Sequence, residues 1–233
     1  MYIFFKKLAH HFQNGSCTFV AKNLFLAFVR TVGRYGHIIK RDIGNRFFYG
    51  TEAPTFCERI WVDATKVDWY ITNQEIIRVT GEHRNLASGR VVDWSKLKEF
   101  KPLRNESKID FCYRHWDEGH SWDELGYYEY MSRAHRHRND TRQTIIDRFA
   151  MLDHAFEQSR ATGTLQTRSE LDPSSFREES GVLIHIGENG VPYFGGNGFH
   201  RMAIAKILNL KRFPACIGVV DRAAIPLLNR YRS

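Results

Sequence analysis

Cysteine is scarce in these 233 residues and is scattered. Cys17, Cys57, Cys112 and Cys216 form no Cys-x-x-Cys pair. That argues against a zinc ribbon or a dense disulfide framework and leaves idle thiols of a reducing compartment. Long apolar runs are missing as well. The longest near the N-terminus, "LFLAFV", lies between Lys22-Asn23 and Arg30, far short of the ~18 residues a membrane span needs. A basic segment, an apolar stretch and a small-residue cleavage site do not follow one another, so a cytoplasmic location is expected. Internal repeats and low-complexity tracts are also lacking.

What remains is the composition of a folded protein. Hydrophobic residues make up 42% and aromatics 14%, enough for a real core in one large domain or a domain with an extension. Lysine and arginine number 34 against 26 acidic residues, a net charge of +8 and a pI near 9.4. The excess favours anionic partners: nucleic acid, nucleotide phosphates or an acidic membrane surface.

Local patterning predicts an α+β layout. Residues 1–35 read as helical on either side of the turn signal "QNGS". Lys6, Lys7, Lys22, Arg30 and Arg34 stud this stretch. Such a helix can lie on an anionic membrane; packing on its own domain, charges in water, is the expectation here. Residues 1–50 are taken as a helical extension. Running out of it, "VGRYGHIIKRDIGNRFFYGTEAP" reads as an irregular connection with room for one short strand. "RIWVDATKVDWYI" predicts strand, turn and a second extended piece, and "SGRVVDW" another short strand. Helical character fills roughly residues 95–165, an insertion into a domain spanning 51–233. Its clearest helix is "DTRQTIIDRFAMLDHAFEQSRATG", capped by Asp140 or Thr141 and ended by Gly163. Ser121 and Glu124 have capping-box spacing before "YYEYM". "SGVLIHIGENGVPYF" is a hairpin signal, and "RFPACIGVV" a buried final strand.

Between hairpin and final strand lies "GGNGFHRMAIAKILNL". Gly195, Gly196 and Gly198 permit positive φ or close backbone approach, and Asn197 tolerates the left-handed region. The helix that follows offers amide groups and a positive dipole end, to which His200 and Arg201 add donors. Together these predict a phosphate-type anion site; the competing reading is a tight strand-to-helix turn that needs its glycines merely to fit. The loop lacks the Lys-Ser/Thr of a Walker A element and the third glycine of a dinucleotide fingerprint.

On these residues the segment "VLIHIGENGVPYFGGNGFHRMAIAKILNLKRFPACIGVV" resembles the signature of the ParB/sulfiredoxin-like superfamily, and "RIWVDATKV" its opening strand. The resemblance implies a small mixed sheet with helices, here elaborated by the helical insertion and the N-terminal extension. It also implies a nucleotide, ATP or CTP with magnesium, whose phosphate would meet Gly195, Gly196, Asn197, Gly198, His200 and Arg201. Phosphotransfer or nucleotide hydrolysis are the activities implied. Sulfiredoxins carry a reactive cysteine immediately before the His-Arg pair. Phe199 stands there, which removes sulfinic acid reduction. About a dozen residues follow the last strand, which argues against a ParB-type partition role.

Three further clusters complete the reading. "GEHRNLASG" imitates the Gly-x-His-Arg pattern but lacks a preceding strand, so His83 and Arg84 are expected in a surface loop. "RHWDEGHSWDE" matches no metal spacing, and Trp116 and Trp122 read as packing anchors. Arg133, Arg136, Arg138 and Arg142 form the densest positive stretch. They are a candidate anion patch that would suit a non-enzymatic nucleic-acid binder, or equally a solvated linker before the long helix, and lack the interleaved aromatics of a single-strand platform.

Overall fold

The computed structural model describes residues 17–133, 140–175 and 177–232; within the first helix, side chains are described at 29, 32, 33 and from 35 onward. Chain order is α1 (Cys17–Tyr49), β1 (Arg59–Val62), β2 (Trp69–Tyr70), α2 (Asn73–Thr80), β3 (Val91–Val92), β4 (Lys101–Pro102), α3 (Ser107–Trp116), α4 (Tyr127–Ser132), α5 (Arg142–Thr162), α6 (Arg168–Leu171), β5 (Val182–Ile186), β6 (Pro192–Phe194), α7 (Phe199–Ile207), β7 (Phe213–Asp221) and α8 (Asn229–Arg232). The mixed α+β class expected from patterning is what forms.

The seven strands make one mixed sheet in the order β1-β7-β5-β6-β2-β4, with β3 also on β7. β1 runs antiparallel along Phe213–Cys216 and β3 parallel along Val220–Asp221, so the two share one edge of β7. β5 pairs parallel with the other edge. Every residue of β5 and β7 is buried, as strands covered on both faces must be.

Alternation along these strands sends side chains to two layers. Val182, Ile184, Ile186, Ala215 and Ile217 meet the helical side, with Ile109 of α3, Ile145 and Phe149 of α5 and Met202 of α7. Leu183 and Cys216 face the other way, onto Phe56, Cys57 and Ile38 of α1. A register shift in β7 between Ile217 and Val220 turns Val219 away from the face of Ile217, and it joins Ile76 of α2 and Trp94.

Several local expectations meet the structure directly. Thr141 caps α5 through Thr144 N–H and Gly163 ends it in the left-handed region. The β5–β6 hairpin turns at Glu188–Gly190. Trp116 stacks on Phe156 with ring centroids 4.9 Å apart, and the indoles of Trp116 and Trp122 both donate to Asp153.

Two expectations need correction. The glycine-rich stretch 32–49 is not an irregular connection but the second half of α1. Gly33, Gly36 and Gly44 have nothing within 4 Å of a notional Cβ, so they cost only helix propensity, about 1 kcal/mol each. Docking offsets that: Ile38 is buried, Asn45 Nδ2 donates to the carbonyls of Pro54 and Gly89, and Asp42 accepts from Phe56 N–H. The Ser121–Glu124 box does form, yet it closes a turn. α4 begins only at Tyr127, after Gly126 enters the left-handed region.

His185, fully buried in β5, accepts from Val219 N–H at Nδ1 (2.9 Å). Burial, with Arg84 nearby, holds its imidazole down at about 3. The unfolded chain takes up this proton near pH 6.5. Between those values the unfolded state holds a proton the native state lacks, so stability falls as pH drops through that window. About 3 kcal/mol is expected to be lost by pH 4.5. Urea unfolding at pH 7 and 4.5 measures this, and His185→Asn should flatten the dependence by one proton. Equal slopes in the two proteins would contradict it.

Candidate functional site

The glycine loop links β6 to α7 and is held rigidly. Asn197 Nδ2 donates to Gly181 O (2.8 Å), and its carbonyl accepts from Leu183 N–H (3.1 Å). Gly196 and Gly198 take φ of 75° and 78°, whereas Asn197 is not among the left-handed residues. Asn197 therefore ties the loop to β5 rather than supplying a turn conformation. Gly198 is the N-cap of α7. The first turn of a helix leaves its amide groups without intrahelical acceptors and carries its positive end.

Above that helix end sits a cavity of about 170 Å³ lined by Arg84, Lys108, Met131, Arg148, Gly196, Asn197, Gly198, Phe199 and His200. Three elements distant in sequence deliver the cations. Lys108 comes from the first turn of α3 and Arg148 from α5, both in the helical insertion. Arg84 comes from the segment after α2, its backbone N–H held by Asn73 Oδ1 at 2.9 Å. A Cβ at Gly196 would overlap the Arg84 guanidinium and lie 2.8 Å from Tyr70, so glycine is what lets Arg84 reach the loop. None of the lining residues is acidic. An arrangement of three cations, a histidine and a helix N-terminus can bind a phosphate-like anion.

His83 and Arg84 lie in the loop after α2, as expected, but Arg84 is half-buried and its guanidinium reaches the glycine loop. Pattern matching fails there because its significance lies in a fold-level meeting with Gly196. Lys108 and Arg148 have no sequence signal of their own.

Of the six residues assigned to the phosphate, Gly196, Asn197, Gly198 and His200 line the cavity. Gly195 does not. It packs on His185 and Leu183, where a Cβ would come 2.7 Å from His185 Nε2. Arg201 also lies elsewhere. It donates to the Gln166 carbonyl and approaches the fully buried Glu178 at 4.0 Å. Glu178 in turn holds Arg59 Nε at 3.1 Å and accepts from Arg168 N–H. Burial lowers the Arg201 guanidinium, opposed by Glu178. Arg201→Ala should therefore cost about 2 kcal/mol of stability and leave anion affinity unchanged. Urea midpoints with calorimetry on the same variant separate these effects.

His200 Nε2 lies 2.6 Å from Tyr127 Oη. Burial pushes the Tyr127 phenol up, so its hydroxyl keeps its proton and can donate to the ring. Phe199 packs edge-on against Tyr70 and Phe194, with centroids 5.9 and 4.9 Å apart, and Lys108 Nζ sits 5.3 Å from its centroid. Its aromatic bulk anchors the helix start, a packing task that a thiol could not perform as well.

Glu106 stands beside this site at the N-cap of α3. Burial raises its carboxyl, opposed by Lys108, Lys101 and Arg84. Among the described residues no group of three or more His, Cys, Asp or Glu side chains could hold a metal ion.

Of the four arginines of the candidate patch, the described residues include Arg133 and Arg142. Arg133 is exposed after α4, Arg142 lies 4.5 Å over the Tyr128 ring, and Arg136 and Arg138 fall outside the described residues. No described helix is long and apolar enough to cross a membrane. Comparison with known protein families, with characterised proteins and with solved structures returns no match.

Proposed function

We propose that this chain is a ParB/sulfiredoxin-like nucleotide-binding protein that grips the phosphate end of ATP or CTP at the glycine loop. The observation carrying this reading is the cavity at the start of α7, which gathers Arg84, Lys108, Arg148 and His200 and is lined by no carboxylate. Its 170 Å³ is below the roughly 300 Å³ of a pocket for a whole drug-sized ligand. Phosphoryl groups fit inside, and the nucleoside would lie at the open side. The hairpin, loop, helix and central strand over 182–221 support the family reading. Phosphotransfer to a hydroxyl or to water is the activity assigned, with Glu106 as the base. Burial raises its carboxyl and so makes it a stronger base than an ordinary carboxylate.

Calorimetry with phosphate, pyrophosphate, ATP and CTP, with and without magnesium, tests binding. Glu106→Gln should keep affinity and lose about 10²-fold or more in turnover. No heat with any of these ligands would refute the proposal. The alternative, a nucleic-acid binder acting through Arg133, Arg136, Arg138 and Arg142, is addressed by gel shifts of wild type and the neutralised patch across a salt series.

A further inference from the structure

The outer face of α1 and the distribution of charge point to one partner. Residues 1–49 hold eight lysines and arginines and a single acidic residue, Asp42, so seven of the chain's eight net positive charges lie there. Asp42 is already engaged with Phe56 N–H on the inner face of α1. That inner face also carries the buried Ile38 and Asn45, and Arg41, whose Nη1 donates to Leu86 O.

The packing expected for residues 1–35 falls mostly outside the described side chains, and the docked face lies at 38–45. At about 100° per residue, Val29, Val32, Ile39, Ile43 and Phe47 form one stripe on the opposite side. They are 48, 54, 54, 64 and 83% exposed. Phe48 adds a further exposed ring beside Phe47, with centroids 5.2 Å apart. Lys40 and Arg46, both exposed, flank the stripe on either side. Single exposed apolar residues need no explanation, but five along one side of a helix, interrupted only at Gly36, do.

Two occupants compete for it. A second copy would lay a helix of like charge alongside, with no free acidic residue on α1 to pair its cations. An anionic bilayer satisfies both features at once. The apolar stripe enters the boundary between headgroups and acyl chains, while the flanking cations meet lipid phosphates and carboxylates. We propose that α1 is an interfacial helix that holds this protein on an anionic lipid surface.

The test is co-sedimentation of the full chain with vesicles of phosphatidylcholine alone or with about one third phosphatidylserine. The chain should pellet with the anionic vesicles only, and be released by roughly 0.5 M salt. Ile43→Glu with Phe47→Glu, and separately Lys40→Glu with Arg46→Glu, should each weaken binding about tenfold or more. All four positions are exposed, so thermal unfolding should be unchanged and loss of fold is excluded as a cause. No pelleting at low salt, equal pelleting with neutral vesicles, or binding indifferent to both double variants would overturn the proposal. So would light scattering that shows a dimer which Ile43→Glu with Phe47→Glu turns into a monomer, since the stripe would then belong to a second copy.

Discussion

Gly218→Ala is expected to lower the unfolding midpoint by roughly 10 °C. Gly218 lies on β7 beside the His185 ring of β5. A Cβ at 218 would overlap Nδ1 and press on Cγ and Cε1. Gly195 clears the opposite side, where Nε2 lies. The imidazole is therefore sandwiched between two glycines and has no room to withdraw. Overpacking a rigid site costs about 1–3 kcal/mol. The same clash would displace Nδ1 from Val219 N–H, and a buried donor left unpaired costs about 1–3 kcal/mol more. Gly36→Ala is the matched control. Nothing lies within 4 Å of its Cβ position, and alanine favours helix, so its midpoint should hold or rise. Thermal melts of both variants decide the matter. A Gly218→Ala midpoint within two or three degrees of wild type would mean that His185 can move, contrary to this account.

Arg84→Ala is expected to weaken binding of pyrophosphate or nucleotide by about 10- to 100-fold, the loss of a charge-assisted hydrogen bond. Arg84→Lys should fall between, because lysine keeps the charge but not the planar fork. Arg142→Ala should stay within about threefold, since its charge stacks on Tyr128 and does not line the cavity. Gly196→Ala approaches the same contact from the backbone. It would crowd Arg84 and Tyr70 and impose an unfavourable positive φ at once. Isothermal calorimetry gives all four affinities. Were Arg142→Ala to cost more than Arg84→Ala, the anion site would belong to the arginine patch.

How far the sequence reveals this depends on how local each signal is. The hairpin over 182–194, the loop and α7 are contiguous, and their turn residues, alternation and caps lie within a few positions of one another. α5 was legible for the same reason, through Thr141, its apolar stripe and Gly163. The second half of α1 was not, because propensity counts its glycines while docking of Ile38, Asp42 and Asn45 decides the outcome. The site divides in the same way. Gly196, Asn197, Gly198 and His200 are visible in one string of letters. Arg84, Lys108 and Arg148 reach the cavity only through tertiary packing. Arg201 shows the reverse: its motif suggests a ligand contact, yet buried Glu178 draws it away. The chain's +8 is also unevenly placed, a point its sum conceals: residues 1–49 account for seven of those charges.

The central claim is that an anion sits at the start of α7. Amide nitrogen–proton spectra recorded during a pyrophosphate titration test it most directly. The account predicts saturable shifts concentrated at Gly196, Asn197, Gly198, Phe199 and His200, with smaller changes at Arg84 and Lys108. Shifts confined to the stretch 133–142, or no saturable shift in the loop at millimolar ligand, would contradict it.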